Sequence, residues 1–300
     1  MFMWTGHGKG GRAMQRIMLA TDFSERSDRA LRRAVLLAKA HGAVLDLVHV
    51  VDDDRPRRIV DHEAVDARVL LRELAHSLRS ADGVTCETDV VLSDPFAGIV
   101  KAVAEKKPDL LVIGPHRRQI LKDAFLGTTA ERTIRSVDCP VLMANGPPVA
   151  PWRHILLTTD LSDNARNALQ RFAALGLGRG ARQSVLHVFD AIALRLAMSD
   201  SMPKGNRESY LADRQSEARR DLARFMADLA GLQAELVVRQ DTTTTAHEIH
   251  EAAEALTADL IVVSTHGKGA LARFFLGSVT EKTLQSAKVD VLALPPSPAP

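Results

Sequence analysis

Cysteine, net charge and long apolar runs are all scarce in this chain of 300 residues, and each scarcity removes a class of function. The two cysteines, Cys86 and Cys139, cannot build a disulfide framework and show no metal-ligand spacing, which excludes a stapled secreted scaffold and fits a reducing cytosol. The 39 basic side chains against 37 acidic ones leave a net charge of +2, so no whole-chain field gathers nucleic acid or anionic membrane. No apolar stretch approaches the roughly 18 residues of a membrane span. The opening MFMWTGHGKGGRAMQR lacks the continuous apolar core of a signal peptide, and its glycines follow no strand, so they read as part of a flexible leader, with Met14 a candidate natural start. The expectation is a cytoplasmic protein that binds neither nucleic acid nor membrane.

What the chain does have is a second copy of itself. RIMLATDFSERSDRALRRA from Arg16 lies over HILLTTDLSDNARNALQRF from His154, so that Asp22 corresponds to Asp160 at a separation of 138 residues. Farther on, PDLLVIGPHRRQILKDAFLGTTAERTI from Pro108 matches ADLIVVSTHGKGALARFFLGSVTEKTL from Ala258 at a separation of 150, so the second copy has gained 12 residues, placed around 190–230. The division is a leader over 1–15, a domain over 16–145, a Gly/Pro-rich linker over 146–152, a second domain over 153–295 and a tail over 296–300. Within each copy short apolar runs alternate with longer amphipathic ones, the pattern of βαβ units. In the first copy strands are expected near 16–20, 43–50, 84–91, 109–113 and 140–144, and helices near 24–41, 61–80, 95–106 and 126–136. The fold class is α/β: two repeated, doubly wound, five-stranded parallel-sheet domains.

In such sheets ligands bind beyond the carboxyl ends of the strands. Three features stand there in both copies. Asp22 and Asp160 follow the first strand, where an Asx turn or helix cap with Ser24 or Ser162 is the plainer reading. The fourth strand ends in Gly114-Pro115-His116-Arg117 or Ser264-Thr265-His266-Gly267. After nine further residues come Gly127-Thr128 and Gly277-Ser278, near a helix start. Small residues that admit backbone, then a glycine and a hydroxyl opening a helix, suit a phosphate: free N–H groups, a favourable dipole and an O–H donor.

Other motifs carry less. His247-Glu248-Ile249-His250-Glu251 spaces its histidines i, i+3 rather than the i, i+4 of a zinc protease helix, and reads as a solvated helix face. His116 and His266 have no evident nucleophile beside them and are read as positioning groups. His49 and His187, ending the second strands, read as hydrogen-bonded structural histidines. Thr242 to Thr245 read as capping material, and both cysteines as structural. No catalytic set and no metal site is assigned.

The repeated aspartate, the glycine-bearing loop and the Gly-hydroxyl pair closely resemble the universal stress protein family in its tandem form, over nearly all of both copies. The resemblance implies a Rossmann-like, adenine nucleotide alpha hydrolase-like fold with strand order 3-2-1-4-5, and binding of an adenine nucleotide, ATP first, with or without magnesium. It puts adenine beside Asp160 and Val188, or Asp22 and Val50, and phosphates at Gly267, Gly277 and Ser278, or Gly127 and Thr128. Both copies depart from the family's Gly-x-x-Gly. Arg117 replaces the second glycine of the first copy, where a guanidinium either pairs with phosphate or fills its space; the second is favoured. Ser264 replaces the first glycine of the second copy, a milder change, so binding is expected mainly there. Neither copy has a Walker lysine loop or an evident carboxylate set for magnesium, which argues against an enzyme of efficient phosphoryl transfer and leaves only slow ATP hydrolysis open. The family commonly joins fifth strands, here from Val141 and Val291, so the repeats are expected to form an intramolecular pseudo-dimer, with a homodimer of the whole chain as a further step. The expected function is a stress-response protein whose nucleotide occupancy regulates a protein partner or an assembly. The alternative is a scaffold with degenerate pockets acting through protein contacts.

Overall fold

The computed structural model describes residues 14–115, 129–191, 204–229, 231–265 and 276–296. The first half runs β1 (Arg16–Ala20), α1 (Glu25–His41), β2 (Val44–Val51), α2 (Arg57–Ser77), β3 (Cys86–Leu92), α3 (Pro95–Lys106), β4 (Leu110–Ile113), α4 (Thr129–Ser136) and β5 (Val141–Met143). The second runs β6 (His154–Thr159), α5 (Asp163–Leu175), β7 (Arg182–Phe189), α6 (Lys204–Ala227), β8 (Glu235–Gln240), α7 (Thr245–Ala255), β9 (Leu260–Ser264), α8 (Ser278–Ser286) and β10 (Asp290–Leu294). Local chemistry explains most boundaries. Ser24 caps α1 by accepting from Ser27 N–H, Glu25 and Asp28 face its positive end, and Gly42 ends it at φ 65° with its N–H on the Ala38 carbonyl. Helix α2 begins four residues before its expected start because Pro56 can precede a first turn, and it ends in a π-helical turn over Leu78–Asp82. Of the 12 added residues, two lie between β8 and the α7 cap, where 241–243 stand against Ser93 alone, and the rest lie between β7 and β8, a stretch that holds α6, 24 residues long against 21 in α2, and 192–203, outside the described residues.

All ten strands form one sheet in the order β3-β2-β1-β4-β5-β10-β9-β6-β7-β8. Each half therefore has the expected 3-2-1-4-5 order, and every pairing within a half is parallel. The halves meet through β5 and β10, which pair antiparallel with Leu142 opposite Leu292, so the whole sheet is mixed. One core packs α1, α2, α5 and α6 on one face, and a second packs α3, α4, α7 and α8 on the other. Strands β4 (LLVI) and β9 (LIVVS) lie in the middle of the halves, which is why their sequences are apolar without alternation. Residues 14 and 15, expected in the leader, are part of the first domain. Met14 is 2% exposed and belongs to the core, and Gln15 N–H donates to Asp109 Oδ2 at 2.7 Å.

The seam also holds a buried charge pair that the repeat gave no sign of. Asp290, fully buried on β10, lies 2.8 Å from Arg33 Nε of α1 and accepts from Trp152 Nε1 at 2.9 Å and Gly146 N–H at 2.8 Å. Arg33 Nη1 donates to the Ala150 carbonyl at 2.8 Å, and its guanidinium stacks over Trp152. Helix, linker and far strand are thus tied at one carboxylate. Burial pushes the Asp290 carboxyl above the usual range, partly offset by Arg33. The pseudo-symmetric arginine, Arg171, instead donates to the Asp138 and Pro295 carbonyls.

Removing one member leaves a buried charge uncompensated, so Asp290→Ala should cost about 3–5 kcal/mol in denaturant unfolding. The pair replacement Arg33→Met with Asp290→Asn should recover most of that loss. Additive losses in the double variant would show that the two groups are not coupled.

Candidate functional site

The turn after the first strand is built identically in both halves. In the first, the Thr21 hydroxyl accepts from Phe23 N–H at 3.1 Å, and Asp22 Oδ1 accepts from Ser24 N–H at 3.0 Å and from the Ser24 hydroxyl at 2.5 Å. In the second, the Thr159 hydroxyl accepts from Leu161 N–H at 3.0 Å, and Asp160 Oδ1 accepts from Ser162 N–H at 3.0 Å and the Ser162 hydroxyl at 2.5 Å. These bonds hold Phe23 and Leu161 at φ 58° and 64°, a left-handed conformation that costs a bulky residue of order 1–2 kcal/mol. The histidine at the end of the neighbouring strand locks the turn: His49 Nδ1 lies 2.8 Å from the Thr21 carbonyl and His187 Nδ1 lies 3.0 Å from that of Thr159. The structural reading of these histidines fits.

The two aspartates differ beyond that turn. Asp22 also accepts from the Ser27 hydroxyl and lies 3.7 Å from Arg26. Burial alone would raise its carboxyl, but the Ser24 and Ser27 hydroxyls, with Arg26 beside them, hold it below the usual range. In the second half Asn164 and Ala165 stand where Arg26 and Ser27 do.

Each aspartate borders a cavity beyond the carboxyl ends of its strands. The larger, of about 870 Å³, is lined by Asp160, Val188, Ser264, Gly277 and Ser278, five of the residues singled out by sequence. The smaller, of about 370 Å³, has Asp22, Val50 and Gly114 on its wall. Arg117, Gly127, Thr128, His266 and Gly267, like His116, lie outside the described residues.

Two glycines act differently from the sequence expectation. A Cβ at Gly114 would come 3.0 Å from the Arg26 carbonyl oxygen, so this glycine lets the loop after β4 pack on the first turn of α1. Gly277 has ordinary space, its imagined Cβ meeting Thr265 O at 3.6 Å. Its N–H is committed to that same carbonyl at 3.0 Å. The donors left to a ligand are the next ones: Ser278, Val279 and Thr280 line the cavity in the first turn of α8, where no side chain caps the helix.

The sequence missed the contribution of α6, which brings Arg214, Glu217 and Asp221 to the larger cavity, with Arg214 Nη1 2.5 Å from Glu217 Oε2. The added residues around 190–230 were the available signal. It also misjudged Glu248. His247 and Glu251 are solvated as expected, but Glu248 is only 3% exposed and is bound by Arg239 Nε at 2.9 Å and by the Thr242 hydroxyl. The pattern failed because a helical face says nothing of a cation reaching over from a strand. Thr244 is the α7 cap, accepting from His247 N–H at 3.2 Å. Burial pushes the Cys86 and Cys139 thiols up to about 11 and about 12, so both stay protonated and inert at neutral pH. Among the described residues no His, Cys, Asp and Glu cluster suited to a metal occurs, and no helix is long and apolar enough to cross a membrane.

The model of the universal stress protein family matches residues 14–145 and again 151–295. A universal stress protein of Mycolicibacterium smegmatis is 24% identical over 297 residues, covering 93% of this chain and 97% of its own. Universal stress protein A homolog 1 of Coxiella burnetii is 33% identical over 138 residues, 42% of this chain and 92% of its own. Among solved structures, a functionally unknown protein of Pseudomonas aeruginosa shares the fold at a TM-score of 0.68 and 21% identity, over 95% of this chain and 94% of that one. A universal stress protein of Archaeoglobus fulgidus does so at 0.67 and 19%, over 93% and 98%. This chain belongs to the universal stress protein family, carrying two of its units in tandem.

Proposed function

We propose that the second domain binds an adenine nucleotide, ATP first, in the larger cavity, and that occupancy regulates a protein partner or an assembly in the cytoplasm. The observation that carries this reading is the convergence of Asp160, Val188, Ser264 and the uncapped start of α8 on one space of about 870 Å³. Its parts divide the ligand. Val188 and Ile249 offer an apolar wall to the base, Asp160 an acceptor to base or ribose, and the Ser278 to Thr280 N–H groups the positive end of a helix to phosphate. Magnesium, where it accompanies the nucleotide, is carried by the phosphates. The chain serves as a binding protein, with no assigned nucleophile or general base, and slow hydrolysis of bound ATP is the most catalysis this reading allows. A homodimer of the whole chain belongs to the same proposal.

The first domain supports the scaffold reading for its own half. Its cavity is less than half as large, and its aspartate is held by Ser24, Ser27 and Arg26. It contributes contacts rather than a second nucleotide.

Gly277 offers a clean test, because its imagined Cβ meets only ordinary contacts and aspartate is a favourable cap. Gly277→Asp should fold with little change in melting temperature while its carboxylate repels phosphate, weakening ATP at least about tenfold. Saturating ATP at about a hundred times Kd should stabilise the wild type by about 2.7 kcal/mol. Undiminished ATP-dependent stabilisation in the variant would refute this placement of the phosphates.

A further inference from the structure

The two cavities differ more than twofold in volume, about 870 Å³ against 370 Å³; α6 adds Arg214, Glu217 and Asp221 to the wall of the larger, where α2 adds nothing to the smaller, and the helix on the other face differs as well. One difference behind their walls is concerted. On α3, a Cβ at Gly98 would stand 2.5 Å from Val50 Cγ1 and 2.9 Å from Cγ2, so the helix rests bare backbone on a residue of the cavity wall. Gly98 is the fourth residue after the Asp94 cap, and the fourth after the Thr244 cap of α7 is Glu248. On the adjoining strands, Val50 is in register with Val91 and Val188 with Arg239. The pair Val91 and Gly98 of the first domain is therefore exchanged, as a unit, for Arg239 and Glu248 in the second.

The exchange has a steric and an electrostatic side. No side chain fits the contact that Gly98 makes, because its first carbon already overlaps the valine methyls. A glutamate there needs a wider gap between helix and strand. Its buried carboxylate also needs a cation, and Arg239 supplies one at 2.9 Å, with the Thr242 hydroxyl on the other oxygen. Neither Arg239 nor Glu248 lines the cavity, whereas their neighbours Val188 and Ile249 do.

We propose that the Arg239–Glu248 pair is a wedge that holds α7 off β7, and that it sets which domain admits a nucleotide-sized ligand. Selectivity between the halves then resides behind the wall as well as in the glycine-bearing loops. The proposal rests on the nucleotide reading of the larger cavity. Both residues are positioning residues, acting through Val188 and Ile249.

The test restores the first-domain pair in the second domain, Arg239→Val with Glu248→Gly, in the full chain. A crystal structure of the variant should show the cavity shrunken towards the 370 Å³ of the first domain. ATP affinity should fall more than about tenfold, while Glu248→Gln, which keeps the volume, should stay within about threefold of wild type. The reciprocal variant, Val91→Arg with Gly98→Glu, should widen the first cavity, and it decides the matter if the first variant does not fold. An unchanged cavity volume, or a contracted cavity that binds ATP as tightly as before, overturns the wedge. If wild-type protein binds no adenine nucleotide, the functional reading fails separately, and the crystallographic volumes alone judge the wedge.

Discussion

Antiparallel pairing of β5 with β10 is the constraint from which the rest of the molecule follows. Each half alone would expose the outer edge of its fifth strand, a row of unpaired N–H and C=O groups open to unwanted pairing. Joined, the two edges satisfy one another and make a continuous ten-stranded sheet. Because the strands run in opposite senses across that seam, the carboxyl ends of the two halves point to opposite sides of the sheet, and the two cavities with them. The helices follow as well. α1 and α5 approach the seam on one face, where Arg33 meets Asp290, and α4 and α8 approach it on the other, where Arg135 Nη2 lies 3.2 Å from Glu281 and Gln285 donates to Glu131 at 3.1 Å. The two repeats thus pair across the seam as the halves of a two-fold dimer would, within one chain and with two different sequences.

The changes are local and paired. Where Arg16 begins β1 and binds Asp46, the second copy has His154 beside Ser184, with Nε2 2.9 Å from the hydroxyl. Pro140 of the first copy corresponds to Asp290 of the second, so the buried seam pair exists only once. Asp22 is surrounded by Ser27 and Arg26, and Asp160 by Ala165 and Asn164 at those places. Val91 with Gly98 became Arg239 with Glu248. At the seam the exchange of Pro140 for Asp290 brings a buried carboxylate together with the arginine that compensates it, while the exchanges around the cavities alter the residues beside and behind their walls. One copy keeps a narrow pocket, and the other has a wide one roofed by the longer helix α6.

Period and punctuation made the fold legible. β1 falls on 16–20, where it was expected, and the caps Ser24 and Ser162 could be read because their side chains serve their own helix. Features that need a partner from elsewhere in the chain were not legible. Glu248 reads as solvated from its own helix, because Arg239 reaches it from a strand, and nothing near Arg33 in the chain points to Asp290 and Trp152, which lie against its guanidinium. Backbone state was hidden too. Nothing in Asp-Phe-Ser or Asp-Leu-Ser announces a left-handed residue, since a glycine would be the usual sign. In the site, the clustering of Asp160, Ser264, Gly277 and Ser278 followed from the repeat and that of Val188 from the family resemblance, but the role of each glycine did not, because a glycine that admits a ligand and one that admits a helix have the same letter.

The claim that the two halves have diverged into one nucleotide site and one pocket too small for a nucleotide is tested most directly by the stoichiometry of binding. Calorimetric titration of the full chain with ATP should show one site per chain. Two equivalent sites, or none, would contradict the account.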